Sequence, residues 1–128
     1  MAADRLRVPP RERFAGSERV IDLDDAFAQL PAESVSRQGH MQKALYRLGP
    51  TTTAIFAFEA GAGLDRYTAD AEAIIHVVEG RLRVRTQGNE YELTRNQMLL
   101  VDPRVPHDIK ALAPTRMLLT TVLQDARS

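Results

Sequence analysis

From about Ser34 onward, the chain reads as short strand-length apolar stretches, most of them bounded by glycine, proline or asparagine. A buried helix needs roughly 10 or more periodic residues and a strand about 5, so this punctuation restricts the segment to an all-β sandwich or barrel. The spacing predicts strands near residues 42–47, 52–59, 73–78, 81–86, 90–93, 98–101, 107–112 and 116–123. "RTQGNEYEL" is the clearest hairpin, because Gly88-Asn89 can take the positive φ values of a tight turn. Closing such a sheet into a barrel removes its free edges, which favours the closed form.

Upstream the texture differs. Residues 1–17 are rich in arginine, contain Pro9-Pro10 and lack apolar periodicity, as expected of a flexible arm preceding a domain over residues 18–128. "ERVIDLDDAFAQLPAE" predicts a short helix capped by Asp22 or Asp24 and ended by Pro31, with Phe27 and Leu30 on its buried side.

Composition narrows the function classes. At 128 residues, roughly two-thirds of the unfolded surface can be buried, which is enough for one core. Seventeen basic residues balance seventeen acidic ones, so no net field attracts a polyanion, and nucleic acid is not an expected partner. Arg81, Arg83 and Arg85 alternate with Leu82 and Val84, the pattern of a half-exposed strand rather than of a basic stripe. The absence of cysteine excludes disulfides, thiolate nucleophiles and cysteine-held metals. No apolar run approaches the ~20 residues of a membrane span, so a cytoplasmic protein without a membrane partner is expected.

Fixed spacings then align. Gly61, five residues, Tyr67, one residue, Ala69, three residues, Ala73, six residues and Gly80 form one set. Asn96, ten residues, His107, three residues and Ala111 form the other. The frame resembles that of the cupins. Their first motif runs Gly, five residues, His-x-His, three or four residues, Glu, six residues, Gly, and "GAGLDRYTADAEAIIHVVEG" keeps its spacing and both glycines. The resemblance implies a double-sheet jelly-roll barrel and a metal site, but here the implied ligand positions hold Tyr67, Ala69 and Ala73. "NQMLLVDPRVPH" resembles the second motif, with Asn96 at its glycine and His107 at the one ligand position retained. Asparagine is the next-best residue for a left-handed turn.

One histidine is set aside by parity. Strand side chains alternate, so if Ala73 faces the interior, so do Ile75 and Val77, while Ile74, His76 and Val78 face outward. The outward strip is apolar. Cupins commonly pair as two-fold dimers through such a face, so a homodimer is expected, the alternative being that the N-terminal helix or the strand near 42–47 covers the strip. His40 lies outside both motifs and is expected at the surface. Glu59, Asp65 and Glu72 are expected to be solvated.

These residues predict a largely apolar pocket lined by Tyr67, Ala69, Ala73, Ile75, Val77 and His107, holding a small organic molecule without a metal cofactor. One alternative is a metal-independent isomerase or cyclase, with His107 and Tyr67 as acid–base pair. The other is a metal-dependent oxygenase with substitute ligands.

Overall fold

The computed structural model describes residues 18–33, 39–67 and 70–124, and only the backbone of Ala32, Glu33, Arg66 and Tyr67. The expected arm over residues 1–17 lies outside these. Helix α1 (Leu23–Glu33) precedes β1 (His40–Leu48), β2 (Thr51–Phe58), β3 (Gly63–Tyr67), β4 (Ala71–Glu79) and β5 (Arg81–Arg85). Then come β6 (Glu90–Thr94), β7 (Met98–Val101), β8 (His107–Ala111) and β9 (Thr115–Leu123). They form a five-stranded sheet in the order β1-β2-β9-β4-β7 and a four-stranded sheet in the order β3-β8-β5-β6, all pairings antiparallel. This is the expected jelly roll.

The expected strands are all present, and β3 is an addition. "GLDRY" has a single aliphatic residue and no alternation, and its pairing with β8 shifts register between Leu64 and Tyr67. Backbone pairing rather than side-chain pattern makes it a strand. Gly63 permits that pairing, because a methyl group there would collide with the Ile109 carbonyl.

The sheets enclose one core. Its centre holds Phe56, Ile75, Val77, Leu82, Val84, Ile109, Met117 and Leu119, drawn from both sheets. In β4, buried Ala71, Ala73, Ile75 and Val77 alternate with less buried Glu72, Ile74, His76 and Val78, so the predicted parity holds and His76 faces outward.

A second, smaller core lies on the outer side of the five-stranded sheet. There α1 lays Phe27 and Leu30 on Ile55, with Met41, Leu45, Ala57, Val78 and Leu118 around them. Asp22 caps α1, its carboxylate accepting the Asp25 amide at 3.0 Å. Pro31 does not end the helix as expected. It falls within the last turn, where only two residues follow, and the ring is tolerated until Glu33. Because Leu30 is 0% exposed, Leu30→Ala is expected to cost about 3 kcal/mol, read as a fall in the urea midpoint.

Candidate functional site

The barrel has two distinguishable ends. Residues 112–114 join β8 to β9, so Ala111 and Thr115 mark one end, and His107 and Thr121 the other. Of the motif positions, Tyr67, Ala73 and His107 lie toward the second, whereas Gly61, Gly80 and Ala111 lie at the first.

His107 opens β8, after a turn in which Arg104 takes φ 63 and the Val105 amide reaches the Asp102 carbonyl at 3.4 Å. Arg104 is fastened outside the site by an ion pair with Asp70 at 2.6 Å. The turn delivers the His107 ring into the interior, where it is 3% exposed. Its Nδ1 lies 3.0 Å from the Val105 carbonyl oxygen. A carbonyl can only accept, so Nδ1 carries the proton, and in the neutral ring the lone pair is on Nε2. The backbone thus fixes both ring orientation and tautomer. The Cα partner of His107 on β3 is Tyr67.

Across the barrel the five-stranded sheet presents one row. Ala73 pairs with Val101 on one side and Thr121 on the other, Thr121 neighbours Thr52, and Thr52 neighbours Arg47. Ala73 is buried and contributes only a methyl group. Ile75 and Val77, one and two steps deeper on the same face, are fully buried and form the floor. Beside the site, a cleft of about 210 Å³ opens between Thr86, Tyr91, Leu99, Val101, Asp102 and Val105. The Ala69 position and the side chain of Tyr67 lie outside the described residues.

The donor set does not fit the metal that the motif frame implies. Catalytic sites usually supply about three protein ligands, and among the described residues no three His, Cys, Asp or Glu side chains come together. Glu59, Asp65 and Glu72 are exposed, as expected.

His40 corrects an expectation. It is half-buried rather than at the surface, stacking on Phe56 and Phe58 at ring separations of 6.1 and 5.5 Å, with Nε2 3.0 Å from the Gln42 side-chain oxygen. Its Cα partner is Phe58, which neighbours Thr115, so it belongs to the end away from His107. A cleft of about 270 Å³ lies there, lined in part by His40, Phe58 and Pro114.

Sequence reasoning missed Arg47, Thr52 and Thr121. Their approach to Ala73 depends on pairing between strands up to 69 residues apart in sequence, Thr52 with Thr121, and no local pattern signals it.

The fold has known counterparts. A conserved protein of unknown function from Streptococcus pyogenes superimposes with a TM-score of 0.66 at 18% identity, over 84% of this chain and 89% of that one. An RmlC-like cupin from Shewanella frigidimarina gives 0.64 at 20% identity, over 71% and 82% of the two chains. Ectoine synthase from P. lautus gives 0.66 at 15% identity, over 82% and 78%. At these identities the likeness is one of fold. No curated protein sequence matches the chain significantly. The family model for the cupin domain matches residues 54–122, from β2 through β9, which includes every motif position from Gly61 to Ala111. The chain therefore belongs to the cupin family.

Proposed function

We propose that the barrel binds a small, largely apolar organic molecule at the His107 end, without a resident metal. The observation that carries this reading is a buried, backbone-oriented His107 at the same end of the barrel as the buried Ala73 methyl. Such a site offers one directional polar contact within apolar surroundings, the usual composition of a small-molecule pocket. Native mass spectrometry and elemental analysis of protein purified without chelators test it together. The expected result is an organic mass or bare protein, with no stoichiometric transition metal. About one iron, zinc, nickel or manganese per chain, released by His107→Ala, would overturn it.

A second reading rests on the pairing of Tyr67 with His107 across β3 and β8. A phenol and an imidazole whose Nε2 bears a lone pair would suit a metal-independent isomerase or cyclase, with His107 taking a proton and Tyr67 returning one. This reading requires turnover that Tyr67→Phe lowers by about 100-fold or more while binding survives. Unchanged turnover in Tyr67→Phe would exclude it.

We propose further that two copies pair through the outer face of the five-stranded sheet. The support is apolar exposure beside His76: Met98 is 53% and Leu100 71% exposed on β7, the sheet's edge strand, next to half-buried Ile74. Val78 does not share in this strip, because it packs in the small core beneath α1.

A further inference from the structure

We infer that the molecule bound at the His107 end carries an anionic head, a carboxylate or a group of like charge and size, which Arg47, Thr52 and Thr121 receive at the rim. The inference rests on the pocket reading above and adds the ligand's polarity and direction.

Three observations carry it. First, Arg47, Thr52 and Thr121 share one row of the five-stranded sheet with Ala73, and strand parity aims all of them at the interior side. Thr53 pairs with Thr120 on the outer face, and Ala54 packs into the main core, so Thr52 lies on the core side, and Arg47 and Thr121 follow as its partners. Secondly, this row is chemically idle. Among the described residues, Arg47 makes no ion pair and neither threonine hydroxyl makes a hydrogen bond, whereas the outward pair Thr53 and Thr120 bond each other at 2.8 Å. Thirdly, the nearby acids do not compete for it. Asp70 is engaged by Arg104, Glu72 alternates to the outer side of β4, and Asp102 is exposed beyond β7, on the far side of Ala73 from Arg47.

A guanidinium and two hydroxyls are a donor-rich set. They match an anion, and a neutral apolar ligand would leave them unused. Adjacent strands lie about 4.8 Å apart, so the row from Arg47 to Ala73 spans roughly 14 Å, enough for an elongated molecule with its head outward and its body over Ala73 and Val101. The two-residue turn Gly49-Pro50, with Gly49 at φ 56, holds Arg47 and Thr52 at the mouth.

Calorimetric titration with matched probes tests this: hexanoate against hexanamide, and 3-phenylpropanoate against its amide. Each acid should bind at least tenfold more tightly than its amide, and the difference should shrink between 50 and 500 mM NaCl. Arg47→Ala should remove that tenfold preference while leaving the amides unchanged, Arg47→Lys should restore part of it, and Thr121→Val should weaken the acids selectively. Arg47 is exposed, so a thermal melt of Arg47→Ala should match the parent. If acids and amides bind alike, or Arg47→Ala weakens both equally, the anionic head is excluded while the pocket stands. If none of the four binds, the pocket reading falls with it.

Discussion

Gly80→Ala is expected to destabilise the domain by about 4 kcal/mol, from two separate causes. Gly80 sits between β4 and β5 at φ +105, a conformation that a side chain strains by about 1–3 kcal/mol. A methyl group there would also lie 2.5 Å from Thr115 Oγ1 and 2.7 Å from Thr115 Cα, with the Pro114 carbonyl closer still. Thr115 cannot swing aside cheaply. Its hydroxyl accepts the Arg81 amide at 3.2 Å and donates to the Ala113 carbonyl at 2.7 Å, tying the β8–β9 turn to the start of β5. Domains of this size are stable by about 5–15 kcal/mol, so the melting temperature should fall by on the order of 15 °C. Gly88→Ala separates the causes. Gly88 has φ +115 with nothing within 4 Å of the added methyl, so only the backbone strain applies and a loss of about 1–2 kcal/mol is expected. Equal losses in the two variants would show that the close approach at Gly80 contributes nothing.

Gly80 was readable from its place in the motif frame, and so was much else that depends on local geometry. Asn96 takes φ 66, the left-handed turn its glycine-like position demanded, and the parity of β4 assigned His76 to the outside. At Gly88-Asn89 only the glycine adopts positive φ, yet the Thr86 amide still reaches the Asn89 carbonyl at 2.9 Å to close the hairpin. The arginines of β5 behaved as a strand face. Arg81 and Arg85 meet Glu92 and Glu90 across β6, both at 3.0 Å and exposed, while Leu82 and Val84 are buried.

What the sequence hid is non-local. β3 exists because β8 offers it backbone partners, so its own residues carry no alternation to read. His40 is drawn inward because β1 pairs with β2 in a register that sets it against Phe58, and an isolated "GHMQ" says nothing of that register. The site shows the same division. His107 and Ala73 follow from spacing within motifs, whereas the Arg47–Thr52–Thr121 row follows only from the order β1-β2-β9-β4.

The same order fixes what the outer face can do, and from it a dimer that Leu100→Glu converts to monomer is expected. In β7 the buried pattern alternates, with Val101 inside and Met98 and Leu100 outside, and among the described residues β7 has a neighbour on one side only. Among the described residues no strand pairs with its other edge, which lies next to an apolar strip outside the small core beneath α1. A second copy meets both needs at once, since a two-fold arrangement sets the strip against itself and brings the symmetry-related Leu100 residues near one another. Burying a leucine at such a centre is worth about 2 kcal/mol, and replacing it with a carboxylate that faces its own mate adds repulsion, so the dimer should weaken by about 100-fold. Light scattering at micromolar concentration near neutral pH reads this directly: a dimer for the parent, a monomer for Leu100→Glu. The monomeric variant should keep its fold and its far-ultraviolet spectrum, because Leu100 touches little within its own chain. Val78→Glu is not an equivalent test, since it would introduce charge beneath α1 and unsettle the small core. A parent chain that scatters as a monomer, or a Leu100→Glu chain that remains dimeric, would place the association elsewhere or abolish it.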